Sequence, residues 1–321
     1  MTARKPDAEG AVTRAVVGAG SPTADWLSQP ERGALLGIQL VFWLATIGGR
    51  WPARQLVRFI AAWYWLLDTK AREASKSWLR VVLEREPTRR DVYRHLHTFA
   101  QVTLDRIFLL KGKTSPFVFT RTGNHHLEAL SASRQGAVLL GGHLGSFEAM
   151  RVGGQEESFD IHILGNFANA RMINSLLERL DPEMRARVLD IGEDPLSSIL
   201  ATKTRVEEGA MIALLGDRVL PNGRNVEVTF FGRPAWFPGG PFILASLLRR
   251  PVYLVFGLYQ EPNRYDLYCE PFAELLELPR ATREAQLKVE VQRFADALER
   301  YARKAPYCWF NFYDIWKEPD A

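Results

Sequence analysis

The sequence predicts an α/β fold: a central mixed, largely parallel sheet flanked by helices, with a helical region ahead of it. Three observations carry that expectation. The short apolar runs "GAVLLGG" (136–142), "IHILGN" (161–166), "ARVLDIG" (186–192) and "AMIALLGD" (210–217) have the length and composition of buried strands. Between them, "ARMINSLLERL" and "PLSSILATKTRVEEG" pattern as helices, and that alternation is what a parallel sheet with crossover helices requires. Charged stretches before position 120 and at 283–304 carry apolar residues at helical spacing.

Taken in order, the first 25 residues are small and polar, predicting a disordered tail without the apolar core of a signal peptide. Residues 33–49, "GALLGIQLVFWLATIGG", are uncharged and lie between Arg32 and Arg50. They fall short of the roughly 20 residues that span a bilayer. A second apolar run, "LVRFIAAWYWLL" (56–67), is interrupted by Arg58. Trp43, Trp51, Trp63 and Trp65 crowd this zone beside Arg54, Arg58, Lys70 and Arg72, as in an interfacial belt. Two readings fit: a helical hairpin dipped into one leaflet, or a buried helix pair.

Two charged helices follow Asp68. In "DVYRHLHTFAQVTLDRIFLL" (91–110), Val92, Leu96, Phe99, Val102, Leu104 and Phe108 mark the apolar positions. "VEVTFFGRP", "PVYLVFGLYQ" and "RYDLYCEPF" read as further strands, and Leu287, Val291, Phe294, Leu298 and Tyr301 stripe the last helix. The resulting organisation is a tail (1–25), a membrane-proximal helical region (26–118) and an α/β core (119–321).

Composition narrows the function classes. The chain is 47% hydrophobic with a net charge of +4, so it reads as folded. Between Arg50 and Lys113 there are 14 Lys/Arg against 6 Asp/Glu, which suits an anionic partner. The neighbouring tryptophans favour a phospholipid surface over nucleic acid. Cys269 and Cys308 suit neither a disulfide framework nor a metal knuckle, and His125–His126 and His95-x-His97 lack carboxylates at zinc-site spacing. No metal or cofactor is expected.

The chemistry concentrates in "LLGGHLGSFEAMR" (139–151). Ligands of parallel sheets sit beyond the carboxyl ends of the strands, where His143 falls. Ser146 is placed to cap a short helix holding Glu148 in its first turn. A carboxylate there can accept one imidazole N–H and leave the other nitrogen as a base. A structural histidine fits the same local pattern. Ser146 raises a serine hydrolase as a rival, although the G-x-S-x-G elbow is missing. The "GGHLGS" glycines lack the Lys-Ser/Thr of a phosphate loop.

The H-x4-E spacing after "GGH" resembles the first motif of the glycerolipid acyltransferase superfamily. More closely it is similar to the lipid A secondary acyltransferases, the lauroyl/myristoyl transferases. The likeness runs over about 30–317, through the opening near "RGALL", "ALLGDRVLPNGRNVEVTFFGRPAWFPGGPFILASLLRRPVYLVF" and the ending "ERYARKAPYCWFNFYDIWK". The resemblance implies acyl transfer from a thioester, usually on acyl carrier protein, to a hydroxyl or amine of a lipid-like acceptor. His143 would be the general base and Glu148 its orienting partner. Asp217, Arg218, Arg233, Arg171, Phe231, Gly240 and Pro241 would bind substrate, and the place of work would be the cytoplasmic face of the inner membrane. Phe230, Phe231, Trp236 and Phe237 either line an acyl channel or pack a strand edge. The Pro-Glu-Gly-x-Arg block of glycerophosphate acyltransferases is absent, and "WFNFYDIW" lacks the His and Arg of the Trp-x-His-x-Arg-Trp-like ending. Those departures favour another membrane-associated alcohol or amine over a lipid A precursor. The other rival is a non-catalytic peripheral protein binding lipid or acyl carrier protein.

Overall fold

The computed structural model describes residues 35–153, 159–165, 188–190, 195–219 and 223–317. The predicted tail, the helix expected at "ARMINSLLERL" and Arg171 within it lie outside these residues.

Among the described residues four helices come first: α1 (Leu35–Ile47), α2 (Arg50–Leu67), α3 (Thr69–Val82) and α4 (Arg89–Leu110). Gly49, at φ 82°, breaks α1 from α2 in a conformation costly for any side chain. Asp68 ends α2 and starts α3 by accepting the Ala71 N–H at 2.9 Å. Thr88 and Asp91 form a reciprocal capping box that begins α4 just after Pro87. In α2 the residues turned inward are Ala53, Val57 and Ala61, spaced four apart. Trp51, Phe59, Trp63, Leu66 and Leu67 stand out into solvent from the other side, with Leu40, Trp43 and Ile47 of α1 also exposed. No helix among the described residues is long and apolar enough to cross a membrane.

A buried ion pair joins α2 to α4 and is tied to the sheet through Tyr265. Arg50 donates to Asp105 Oδ1 at 2.8 Å and Oδ2 at 2.9 Å, while the Tyr265 hydroxyl donates to Oδ2 at 3.0 Å. Asp105 and Tyr265 are wholly buried, so this carboxylate depends on those two donors.

Among the described residues the sheet has seven strands, in the order β1-β9-β8-β2-β5-β3-β4. They are β1 (Val118–Thr122), β2 (Ala137–Gly141), β3 (Ile161–Gly165), β4 (Val188–Asp190), β5 (Met211–Leu215), β8 (Val252–Gln260) and β9 (Arg264–Ala273). All neighbours are parallel except β8 and β9, which form a hairpin. The other described helices are α5 (Asn124–Ser133), α6 (Phe147–Gly153), α7 (Pro195–Glu207), α8 (Gly240–Leu248) and α9 (Arg283–Lys304). The α/β class with a mixed, mostly parallel sheet is therefore as expected. The stripe on α9 is buried at all five predicted positions.

Two readings need correction. "VEVTFFGRP" is not one strand but a hairpin of β6 (Asn225–Phe230) and β7 (Arg233–Pro238). Phe231 and Gly232 both take positive φ, 51° and 70°, which is the two-residue loop that matches strand twist. Phe99 was counted with the buried stripe of α4, yet it is 43% exposed and its ring meets Phe310 and Phe312.

Candidate active site

The register of two neighbouring strands builds the site. Gly141 of β2 pairs with Leu215 of β5, and the Gly216 N–H donates to the Gly141 carbonyl at 2.9 Å. Two residues further along each chain stand His143 and Asp217, side by side at the carboxyl edge of the sheet. His143 Nδ1 lies 2.8 Å from Asp217 Oδ1, and the His143 backbone N–H donates to Oδ2 at 2.8 Å. A Cβ at Gly142 would come within 3.1 Å of the Asp217 carboxylate, which accounts for a glycine there.

Asp217 is wholly buried. Burial pushes its carboxyl up, but His143, the Trp309 indole and Arg218 outweigh that and hold it below its ordinary range. An ionised carboxylate only accepts hydrogen bonds, so Nδ1 carries the ring proton and Nε2 offers its lone pair. For His143, burial lowers the pKa more than Asp217 raises it, so the imidazole is neutral near pH 7. Nε2 bonds no described residue, and the side chain is 25% accessible.

The loop carrying His143 is fixed on two sides. Gly145 N–H donates to Cys308 and Phe310 N–H donates to His143, both at 2.8 Å, so the terminal segment runs alongside it. The Ser146 N–H donates to the Gly257 carbonyl at 2.8 Å. Gly145, at φ 83°, lets the chain pass so close that a Cβ would sit 2.0 Å from that carbonyl. The Ser146 hydroxyl accepts the Ala149 N–H at 3.1 Å and caps α6, as its position suggested.

The profile of the bacterial lipid A biosynthesis acyltransferases matches residues 27–318. The chain belongs to that family. No curated protein matches it. Membership makes this an acyltransferase and implies a lipid A precursor as acceptor, where the departures at the C-terminus had favoured another lipid.

In this acyltransferase the expected His143–Glu148 contact is distributed differently. The ring nitrogen that Glu148 was expected to hold is on Asp217, while Glu148, on the first turn of α6, pairs with Arg106 of α4. Arg218 donates to Asn311 Oδ1 from Nε at 3.1 Å and Nη2 at 2.9 Å. Arg233 lies over the Trp316 ring, and Phe231 packs against Trp78 with Arg303 above it. Gly240 and Pro241 open α8. None of these last four bonds the imidazole or Asp217. Phe230 and Phe237 are fully buried in the core, and Trp236 is half-buried. Burial pushes the thiols of Cys269 and Cys308 up to about 12, so both are unreactive at neutral pH.

The sequence reading missed Trp309, Asn311 and Arg106. Trp309 Nε1 and Asn311 Nδ2 donate to Asp217 Oδ2 at 2.8 and 2.9 Å, and the Tyr313 hydroxyl donates to the Asp217 carbonyl at 3.1 Å. The alternation Trp309-x-Asn311-x-Tyr313 was a usable signal, since an extended segment turns such residues to one side.

Proposed function

We propose that this acyltransferase moves a fatty acyl group from a thioester, carried on acyl carrier protein, to a hydroxyl or amine of a lipid A precursor, with His143 as general base. Supporting this is the 2.8 Å bond between His143 Nδ1 and Asp217 Oδ1 at the carboxyl edge of the sheet of a lipid A acyltransferase. Nε2 takes the proton from the acceptor as its oxygen or nitrogen attacks the thioester carbonyl. The tetrahedral oxyanion collapses, the carbon–sulfur bond breaks, and the imidazolium returns its proton to the departing thiolate. Asp217 holds the tautomer and stabilises the imidazolium while it exists. Glu148 serves through Arg106, fixing α6 and the loop before it against α4. Arg218, Arg233 and Arg171 remain candidates for anionic groups of the substrates, and Phe231, Gly240 and Pro241 for the acyl side.

The outward tryptophans of α1 and α2 support a reading in which the enzyme works on the inner membrane, at its cytoplasmic face where acyl carrier protein is found. Trp43 of α1, and Trp51 and Trp63 of α2 with that helix's Arg54 and Arg58, are amphipathic anchors suited to an anionic headgroup layer.

The test is mass spectrometry of lipids from cells lacking the protein, complemented with wild type or His143→Ala. A lipid A precursor heavier by one acyl group should appear with wild type alone. The same species with His143→Ala would overturn the mechanism. A heavier species built on another lipid would overturn the acceptor.

A further inference from the structure

Asp217 Oδ2 accepts three N–H donors, from the His143 backbone, the Trp309 indole and the Asn311 amide, leaving Oδ1 for the imidazole. Two of the three come from the last segment of the chain. Asn311 is set between opposites. Its Oδ1 accepts from Arg218, a donor-only group, and its Nδ2 faces Asp217, an acceptor-only one. The amide therefore has one orientation, and it keeps a neutral group between guanidinium and carboxylate.

Trp309 is held just as firmly. Its ring centroid lies 4.4 Å from Trp78 of α3 and 5.8 Å from Phe230 of β6, and it is fully buried. Trp78 in turn donates its indole N–H to the Pro306 carbonyl at 2.8 Å. His95 of α4 reaches the Trp309 carbonyl from Nε2 at 2.8 Å and meets Ser75 from Nδ1 at 2.9 Å. The terminal segment is thus clamped between the helical region and the sheet edge.

We propose that Asn311 and Trp309 are positioning residues that orient the Asp217 carboxylate toward His143 and set how strongly it supports the imidazolium, an inference resting on His143 as the base. Removing an N–H donor from Oδ2 leaves more negative charge for the imidazole, so the His143 pKa rises. Replacing the amide by a carboxylate adds charge and moves it further the same way. The charged and titratable groups around the pair are Arg218 and Tyr313 beside Asp217, His95 behind Trp309, and the Arg106–Glu148 pair between α4 and α6.

The experiment is ¹⁵N NMR of the full-length protein labelled at its six histidines, with the His143 signal assigned by its loss in His143→Gln. In Asn311→Asp the His143 pKa should rise by roughly one unit, with the acid limb of kcat/KM moving by the same amount. Turnover near pH 7 should fall about tenfold, measured with a lauroyl thioester of acyl carrier protein and a lipid A precursor. Trp309→Phe keeps the ring and loses the N–H, so it should shift the same quantities less. It also decides the matter if Asn311→Asp does not fold. An unchanged His143 pKa in folded variants would overturn the clamp. Full turnover in His143→Ala would instead overturn the base, a separate result.

Discussion

Helices α1 and α2 turn tryptophans outward, whereas the sheet edge at His143 turns a carboxylate inward. Trp51 and Trp63 are 74% and 63% exposed, and Asp217 is fully buried. Each reverses the ordinary sorting of side chains, but the two are sustained by different physics. Asp217 stays ionised because directed N–H donors replace its water, so its partners can be named one by one. The exposed tryptophans have no such directed partners among the described residues, and in the proposed function they answer only to a medium less polar than water. In the proposed function the first fixes a reaction geometry and the second fixes where the protein resides.

The contrast can be broken most severely where the two regions are joined. Asp105→Ala leaves Arg50 half-buried without its carboxylate, and should cost about 3–5 kcal/mol in denaturant unfolding. A loss under 1 kcal/mol would mean that the Arg50–Asp105 pair does not hold α2 in place. Glu148→Gln breaks a pair that is only partly accessible, so about 2 kcal/mol of stability and most of the turnover should go. The His143 Nδ1–H should nevertheless survive in the NMR spectrum, because Asp217 holds it. Its disappearance would return Glu148 to the imidazole. Trp63→Ser should leave the unfolding free energy within about 0.5 kcal/mol of wild type. Its association with anionic vesicles, followed by sedimentation, should weaken about tenfold. Unchanged association would remove α2 from the membrane.

Much of the architecture was legible because local pattern decides it. The strand residues "MIALL" and "AVLLG" are apolar throughout, as strands of a sheet covered on both faces are, and the α9 stripe fits its bounds at 283–304. Ser146 was legible as a cap for the same reason. The break at Phe231 was not, because a phenylalanine in the left-handed region goes against its own preference. It is held there by tertiary contacts, including the Phe231 N–H donated to Glu299 at 2.7 Å. His143 was found from its strand end, but its partner lies 74 residues on, just past the end of a strand adjacent only through sheet order. "LLGGH" and "LLGD" do end alike, yet pairing them needs the register Gly141↔Leu215, which no local window contains. Glu148 was placed correctly in the first turn of α6. What lay beyond reach was Arg106 of α4, waiting to take its charge.

The most direct test is the pH dependence of kcat/KM for wild type and Asp217→Asn, with the same thioester and acceptor. In the proposed mechanism His143 works as the neutral imidazole, and burial lowers its pKa. The wild-type rate should therefore hold through neutrality and fall on the acid side only below the ordinary imidazole value of about 6.5. Asp217→Asn should lose about 10²–10⁴-fold across that range, since an amide no longer fixes the productive tautomer. A variant within threefold of wild type would mean that Asp217 does not act on His143 in catalysis.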